Sequence, residues 1–375
     1  MPVTEIQNSF LNRISIRRNQ IAAVESNNNE QDQEDVEMFS RNVAERFTTL
    51  LPGPESPSGN HPQILTLSWF RQLLDAFLYC EAEFKALLLS TRPPLDRLVL
   101  DLLDRSVKAL DVFNAVTNAL DLMHHWQKLA QIAVSALLQS PVGEGQVRRA
   151  RRALDTLIAS MSFDDKDTAG GGGHGKWAER TRRLGGALAS RDRGGVGSLR
   201  SLSWSAAKQV QGMLAAPKGG EAGGMATPVY IMNTMLVFAA WALVAAVPCQ
   251  ERHGLATNFH IPRSLQPMMV LQERIGEEVK RKEKKGNPGL MDELQKMEAA
   301  AHSLVDFADG FVFPLEDGRA EEMAKQVEEL AQICHKMEEG LGPLQNLVRE
   351  VFHRIVKSRG EILDVFDKSS ATVQY

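Results

Sequence analysis

The chain has 375 residues, 43 Lys and Arg against 47 Asp and Glu, a net charge of −4 and 43% apolar residues. Those values exclude wholesale disorder, a many-pass membrane protein and a polycation built to coat nucleic acid. The three cysteines, Cys80, Cys249 and Cys334, lie too far apart for a disulfide framework or a CxxC metal site and suit a reducing compartment.

Residues 1–62 read as a mostly disordered N-terminal segment with one short helix. No apolar run of signal-peptide length opens the chain, so a cytoplasmic protein is expected. Arg13, Arg17 and Arg18 surround Ser15 in a basic run. It reads either as an anionic-lipid contact or kinase site, or as a solvated helix start. Val36, Phe39, Val43, Phe47 and Leu50 recur at spacings of three and four and predict a helix face.

Residues 63–161 form the N-terminal half of a helical bundle. One apolar stripe runs through Leu67, Phe70, Leu74, Phe77 and Leu78. After Pro93-Pro94 a long one runs from Leu95 to Leu137. A third helix carries Val147, Leu154, Leu157, Ile158 and Met161. The third also holds Arg148, Arg149, Arg151 and Arg152, four arginines in five positions. They are candidate partner contacts, and a solvated helix face fits them equally well.

Residues 162–228 hold 15 of the 28 glycines, and between Lys176 and Lys208 eight Lys or Arg stand against two acids. This composition predicts a flexible basic linker, with a short amphipathic helix over Leu202–Leu214. Ser201 and Ser203 follow Arg200 and, with Ser15, are candidate phosphosites; an unregulated linker fits the same residues. Gly170–Lys176 has the GxxxxGK spacing of a phosphate loop. Trp177 stands where magnesium needs Ser or Thr, and no buried strand precedes it.

Residues 229–375 form the C-terminal half. Val229–Val247 is 19 residues without a charge, bracketed by Pro228 and Pro248. It is long enough to cross a bilayer, with Val229 and Val247 as the ends of that candidate segment. Asn233, Thr234 and five alanines suit instead a helix apolar all round because it is surrounded. Cys249, next to it, is a possible palmitate acceptor or a plain buried thiol. A solvent-facing helix over about 268–285 is expected, with pairs Glu277–Arg281 and Glu278–Lys282. Helices near 289–310, 319–340 and 343–367 follow. The nine histidines show no zinc spacing, and no nucleophile carries a catalytic signature.

Several long words carry a resemblance: SFLNRISIRRNQ (Ser9–Gln20), CEAEFKALL (Cys80–Leu88), PPLDRLVLDLLDRSVKALDVFNAV (Pro93–Val116), GQVRRARRAL (Gly145–Leu154), SLSWSAAKQVQ (Ser201–Gln211), WALVAAVPCQ (Trp241–Gln250) and VREVFHRIVKSR (Val348–Arg359). Together they resemble the plant BYPASS-related family, its ROH branch. The resemblance implies an all-α protein without enzymatic activity or cofactor that binds a subunit of the exocyst, the complex tethering secretory vesicles. Other members act in root-to-shoot signalling and development, which is the alternative function. Family members often carry a predicted span matching Val229–Val247. No catalytic, cofactor or metal residue transfers. The expected protein is therefore all-α, a helical bundle interrupted by a long Gly/Arg-rich flexible linker. It would bind a protein partner, with an anionic membrane surface as a possible second contact, and neither nucleic acid nor a small-molecule substrate.

Overall fold

The computed structural model describes residues 25–52, 64–91, 97–139, 141–161, 206–215, 226–248, 255, 258–283, 289–310 and 317–372. The protein is all-α, and no strand occurs among these residues. In chain order the helices are α1 (Glu25–Thr49), α2 (Leu67–Thr91), α3 (Arg97–Leu137) and α4 (Glu144–Met161). A short helix α5 covers 206–213. Then come α6 (Ala226–Ala246), a 3-10 turn (Arg263–Leu265), α7 (Gln266–Glu283), α8 (Asp292–Asp309) and α9 (Asp317–Thr372).

Each helix forms where its apolar period demands cover. On α1, Val36, Phe39, Val43, Phe47 and Leu50 are all buried. Phe47 meets Phe238 of α6 edge-on at 5.7 Å between ring centroids. The Trp69 indole of α2 donates to the Leu50 carbonyl at 3.0 Å and closes the end of α1. Two groups of helices result. One packs α3, α4, α8 and α9 together, and the other packs α1, α2, α6 and α7. They are joined where α9 lies along both α2 and α3 and where α6 lies on α3.

Every residue of α6 from Pro228 to Ala246 is buried, Val229 and, just past the helix, Val247 among the covered ones. The helix is long and apolar enough to cross a membrane, and the bundle surrounds it on all sides. Helix α6 starts at Ala226, so Pro228 sits inside its first turn, where a missing N–H costs nothing. Its far end is stitched into the fold. Leu290 and Met291 donate their N–H groups to the carbonyls of Ala245 and Ala246, at 3.3 and 3.2 Å. Beside them the Asp292 N–H bonds to Leu65 O at 3.0 Å, and the Glu293 carboxylate accepts the Leu67 N–H at 3.1 Å. Leu65 turns the chain there with a positive φ of 66°. Three helix ends share one junction, and Gly289 lets them meet: a Cβ on it would lie 2.5 Å from Ala246 O.

The expected break between two helices near residue 340 does not occur. Helix α9 runs 56 residues, about 84 Å at 1.5 Å per residue, through Gly340 and Pro343. Pro343 faces solvent, where water satisfies the carbonyl that its missing N–H frees. Gly340 is needed for a close approach, since a Cβ there would lie 2.9 Å from Leu67 Cδ1. Helix α7 also differs from expectation. It is amphipathic rather than solvent-facing, burying Met268, Leu271, Ile275 and Val279. Arg281 pairs with Glu278 at 2.6 Å rather than with Glu277. The Glu278–Lys282 pair falls on a side chain outside the described residues.

One polar group sits in the middle of the apolar helix. Asn233 is fully buried, and neither its amide nitrogen nor its oxygen has a partner among the described residues. Asn233→Leu is expected to raise stability by about 1–3 kcal/mol in denaturant titration, because it removes an unpaired buried polar group. Gly340→Val is expected to lower it by about 1–3 kcal/mol by overpacking against Leu67.

Candidate interaction face

Helix α4 places its arginines by elimination. Val147, Ala150, Ala153, Leu154, Leu157 and Met161 face inward. Arg148, Arg149, Arg151 and Arg152 occupy the remaining positions and are all exposed. Arg148 pairs with Glu144 one turn earlier. Arg151 reaches Asp309 at the end of α8 at 2.5 Å and Asp155 at 3.7 Å. Arg149 and Arg152 have no ion-pair partner among the described residues. They are i,i+3 neighbours, so two like charges share one patch of surface at a small cost to the helix. Among the described residues, acids thus pair with two of the four guanidinium groups.

The other candidate residues fall differently. Ser15, Ser201, Ser203, Cys249, the N-terminal arginines and the Gly170–Lys176 loop lie outside the described residues, as does most of the expected linker. His302, His335 and His353 are exposed on separate turns of α8 and α9, and His335 approaches Glu339 at 3.4 Å. No group of three or more His, Cys, Asp or Glu able to hold a metal occurs among the described residues. Cys80 and Cys334 are buried free thiols. Burial raises both pKa values, that of Cys334 to about 12, so neither is a ready nucleophile.

The strongest polar features hold helices together, and sequence reasoning missed them. Glu81 and Glu83 lie two residues apart on α2 and reach opposite ways. Glu81 accepts a hydrogen bond from Ser358 of α9, with Arg354 at 3.6 Å and a Lys85–Glu361 pair at 2.8 Å alongside. Glu83 accepts from Asn42 of α1 at 3.2 Å and shares a hydrogen bond with the Tyr79 phenol. The Arg46 guanidinium of α1 lies over the Tyr79 ring, 3.1 Å from its centroid. The signal was present as two acids inside the apolar stripe of CEAEF, a pattern that demands partners. Burial pushes both carboxyls above the ordinary range, and the hydrogen bonds and nearby cations only partly oppose it.

The profile of the family described as Protein ROH1-like matches residues 1–366. The chain belongs to the ROH1-like family. Protein ROH1A of Arabidopsis thaliana is 48% identical to it over 408 aligned residues, covering 98% of both chains. Protein ROH1D of the same plant is 38% identical over 402 aligned positions, covering 98% of this chain and 99% of its own. No solved structure matches. The expected BYPASS-related, ROH-branch membership is thus shown, and the arrangement above describes a ROH1-like bundle.

Two outcomes follow for this ROH1-like protein. Folded Glu81 holds its proton more tightly than unfolded Glu81, so ionising it costs the folded state. Glu81→Gln should therefore gain stability relative to the wild type as pH rises above the ordinary glutamate value of 4.5, with no gain well below it, in melts recorded across pH. Charge reversal at Arg149 and Arg152 should leave unfolding free energy within about 0.5 kcal/mol of the wild type, since both project into water.

Proposed function

We propose that this ROH1-like protein is a non-enzymatic interaction protein that engages a subunit of the exocyst and thereby tunes polarised secretion. The family resemblance supplies the partner. The observation that carries the reading is the α4 face, where Arg149 and Arg152 stand side by side, exposed and without an ion-pair partner among the described residues. Rigid placement on a packed helix holds them ready for carboxylates on a partner helix at little entropic cost. The buried carboxylates support the same reading, because Glu81 and Glu83 are engaged between helices rather than facing a cleft. Affinity of this kind falls with salt, and a rim charge acts mainly on the association rate.

The test is co-purification of the full chain from plant tissue, with exocyst subunits detected by mass spectrometry. The wild type should retain one subunit, and Arg149→Glu with Arg152→Glu should reduce its recovery about tenfold or more while the fold is kept. Recovery of no exocyst subunit at any stringency would contradict the proposal and leave the developmental signalling role as the better reading.

A further inference from the structure

Three carboxyl groups taken out of water meet on helix α2. Glu81 is 4% exposed, Glu83 is 6% exposed, and Glu293 at the start of α8 is 9% exposed. Each joins α2 to a different helix. Glu81 accepts from Ser358 of α9, and Glu83 accepts from Asn42 of α1 at 3.2 Å. Both oxygens of Glu293 lie against the Leu67 N–H, at 3.1 and 3.3 Å. One carboxyl thus stands where each of α9, α1 and α8 is seated on α2.

The surroundings suit a neutral carboxyl group better than a carboxylate. The Oε2 atoms of Glu81 and Glu83 are buried and meet no hydrogen-bond donor among the described residues. Near Glu81, Arg354 lies 3.6 Å away and is shared with Glu350 at 3.8 Å, while Lys85 pairs with Glu361 at 2.8 Å. Near Glu83, the Arg46 guanidinium lies over the Tyr79 ring, and burial keeps the Cys80 thiol protonated. Next to Glu293, Lys296 pairs with Asp292 at 2.6 Å, and the Asp292 charge repels that of Glu293. Helix α6, which also packs on α2, holds no charged residue. Desolvation of an ionised carboxylate in such places outweighs what these partners supply. Burial therefore raises all three carboxyls above the ordinary glutamate value of 4.5. Asp75 on the same helix, which feels Arg71 and Glu350, shifts in the same direction by burial.

We propose that α2 is a proton-sensitive clamp, which holds α9, α1 and α8 most firmly when Glu81, Glu83 and Glu293 carry protons and less firmly as they ionise. The unfolded chain ionises these groups near 4.5, and the folded chain does so only at higher pH. Between those values the folded state binds more protons. The stability they contribute is fully present below the unfolded value and is lost as pH rises through the folded ones. His124 of α3 acts in the opposite sense, since burial lowers its pKa and favours the fold as pH rises toward 6.5. The clamp is therefore isolated by comparing variants at each pH. Glutamine supplies a neutral group of the same shape, with an oxygen for the same hydrogen bond.

Urea titrations of the full chain at about pH 5 and about pH 7.5 test the clamp. Glu81→Gln, Glu83→Gln and Glu293→Gln combined should lower the unfolding equilibrium constant about tenfold or more below the wild type at the higher pH, and by much less at the lower. Glu83→Gln and Glu293→Gln alone should each give part of that pH-dependent gain. Glu328→Gln, on the exposed face of α9, should give none. A triple variant no more stable than the wild type at the higher pH would overturn the proposal. So would a gain of equal size at both pH values, which marks packing and not proton linkage.

Discussion

The bundle depends on the burial of α6. A helix that is apolar on every face has no surface fit for water, so it is stable only if other elements enclose it completely. Helices α1, α2, α3 and α7 do so, and their own apolar stripes are satisfied by the same contacts. The two halves of the sequence are thereby bound into one core, with α6 lying on α3 across the long stretch between Met161 and Ala226. The junction at the end of α6 completes the arrangement. Backbone groups of residues 290 and 291 bond two of its last carbonyls, so helix α6 ends against protein.

Around that core the polar contacts divide by depth. Deep ones join helices distant in sequence: Glu81 to Ser358, Glu83 to Asn42, Glu293 to the start of α2, Arg105 to the end of α5. Each leaves a buried group unpaired if its partner is removed, which makes it costly to break and specific in register. Shallow ones, such as Arg148 with Glu144 and Lys108 with Asp104, contribute little to stability. The α4 arginines belong to the shallow set, so the fold needs them little.

The sequence made the helices legible wherever an apolar period was strong. The face from Val36 to Leu50 and the long helix ending at Leu137 lie where their periods place them. The final helix was divided because Gly340 and Pro343 outweighed the pattern around them. Yet Met323, Val327, Leu330, Cys334, Met337, Leu341, Leu344, Val348, Val351 and Ile355 alternate spacings of four and three without a phase shift across both residues. An unbroken period of that kind is evidence for one helix, since a real break resets the phase. The face bearing the α4 arginines was legible because its inward residues fix what points out. Arg105, Glu81 and Glu83 were not, because their meaning lies in partners 41 to 277 residues away.

The central claim is that α6 is the core of a bundle and not a membrane span. Alkaline carbonate extraction of membranes from plant cells producing the full chain tests it most directly. The account predicts release of the protein into the supernatant with peripheral proteins. Retention in the pellet with integral membrane markers would contradict it.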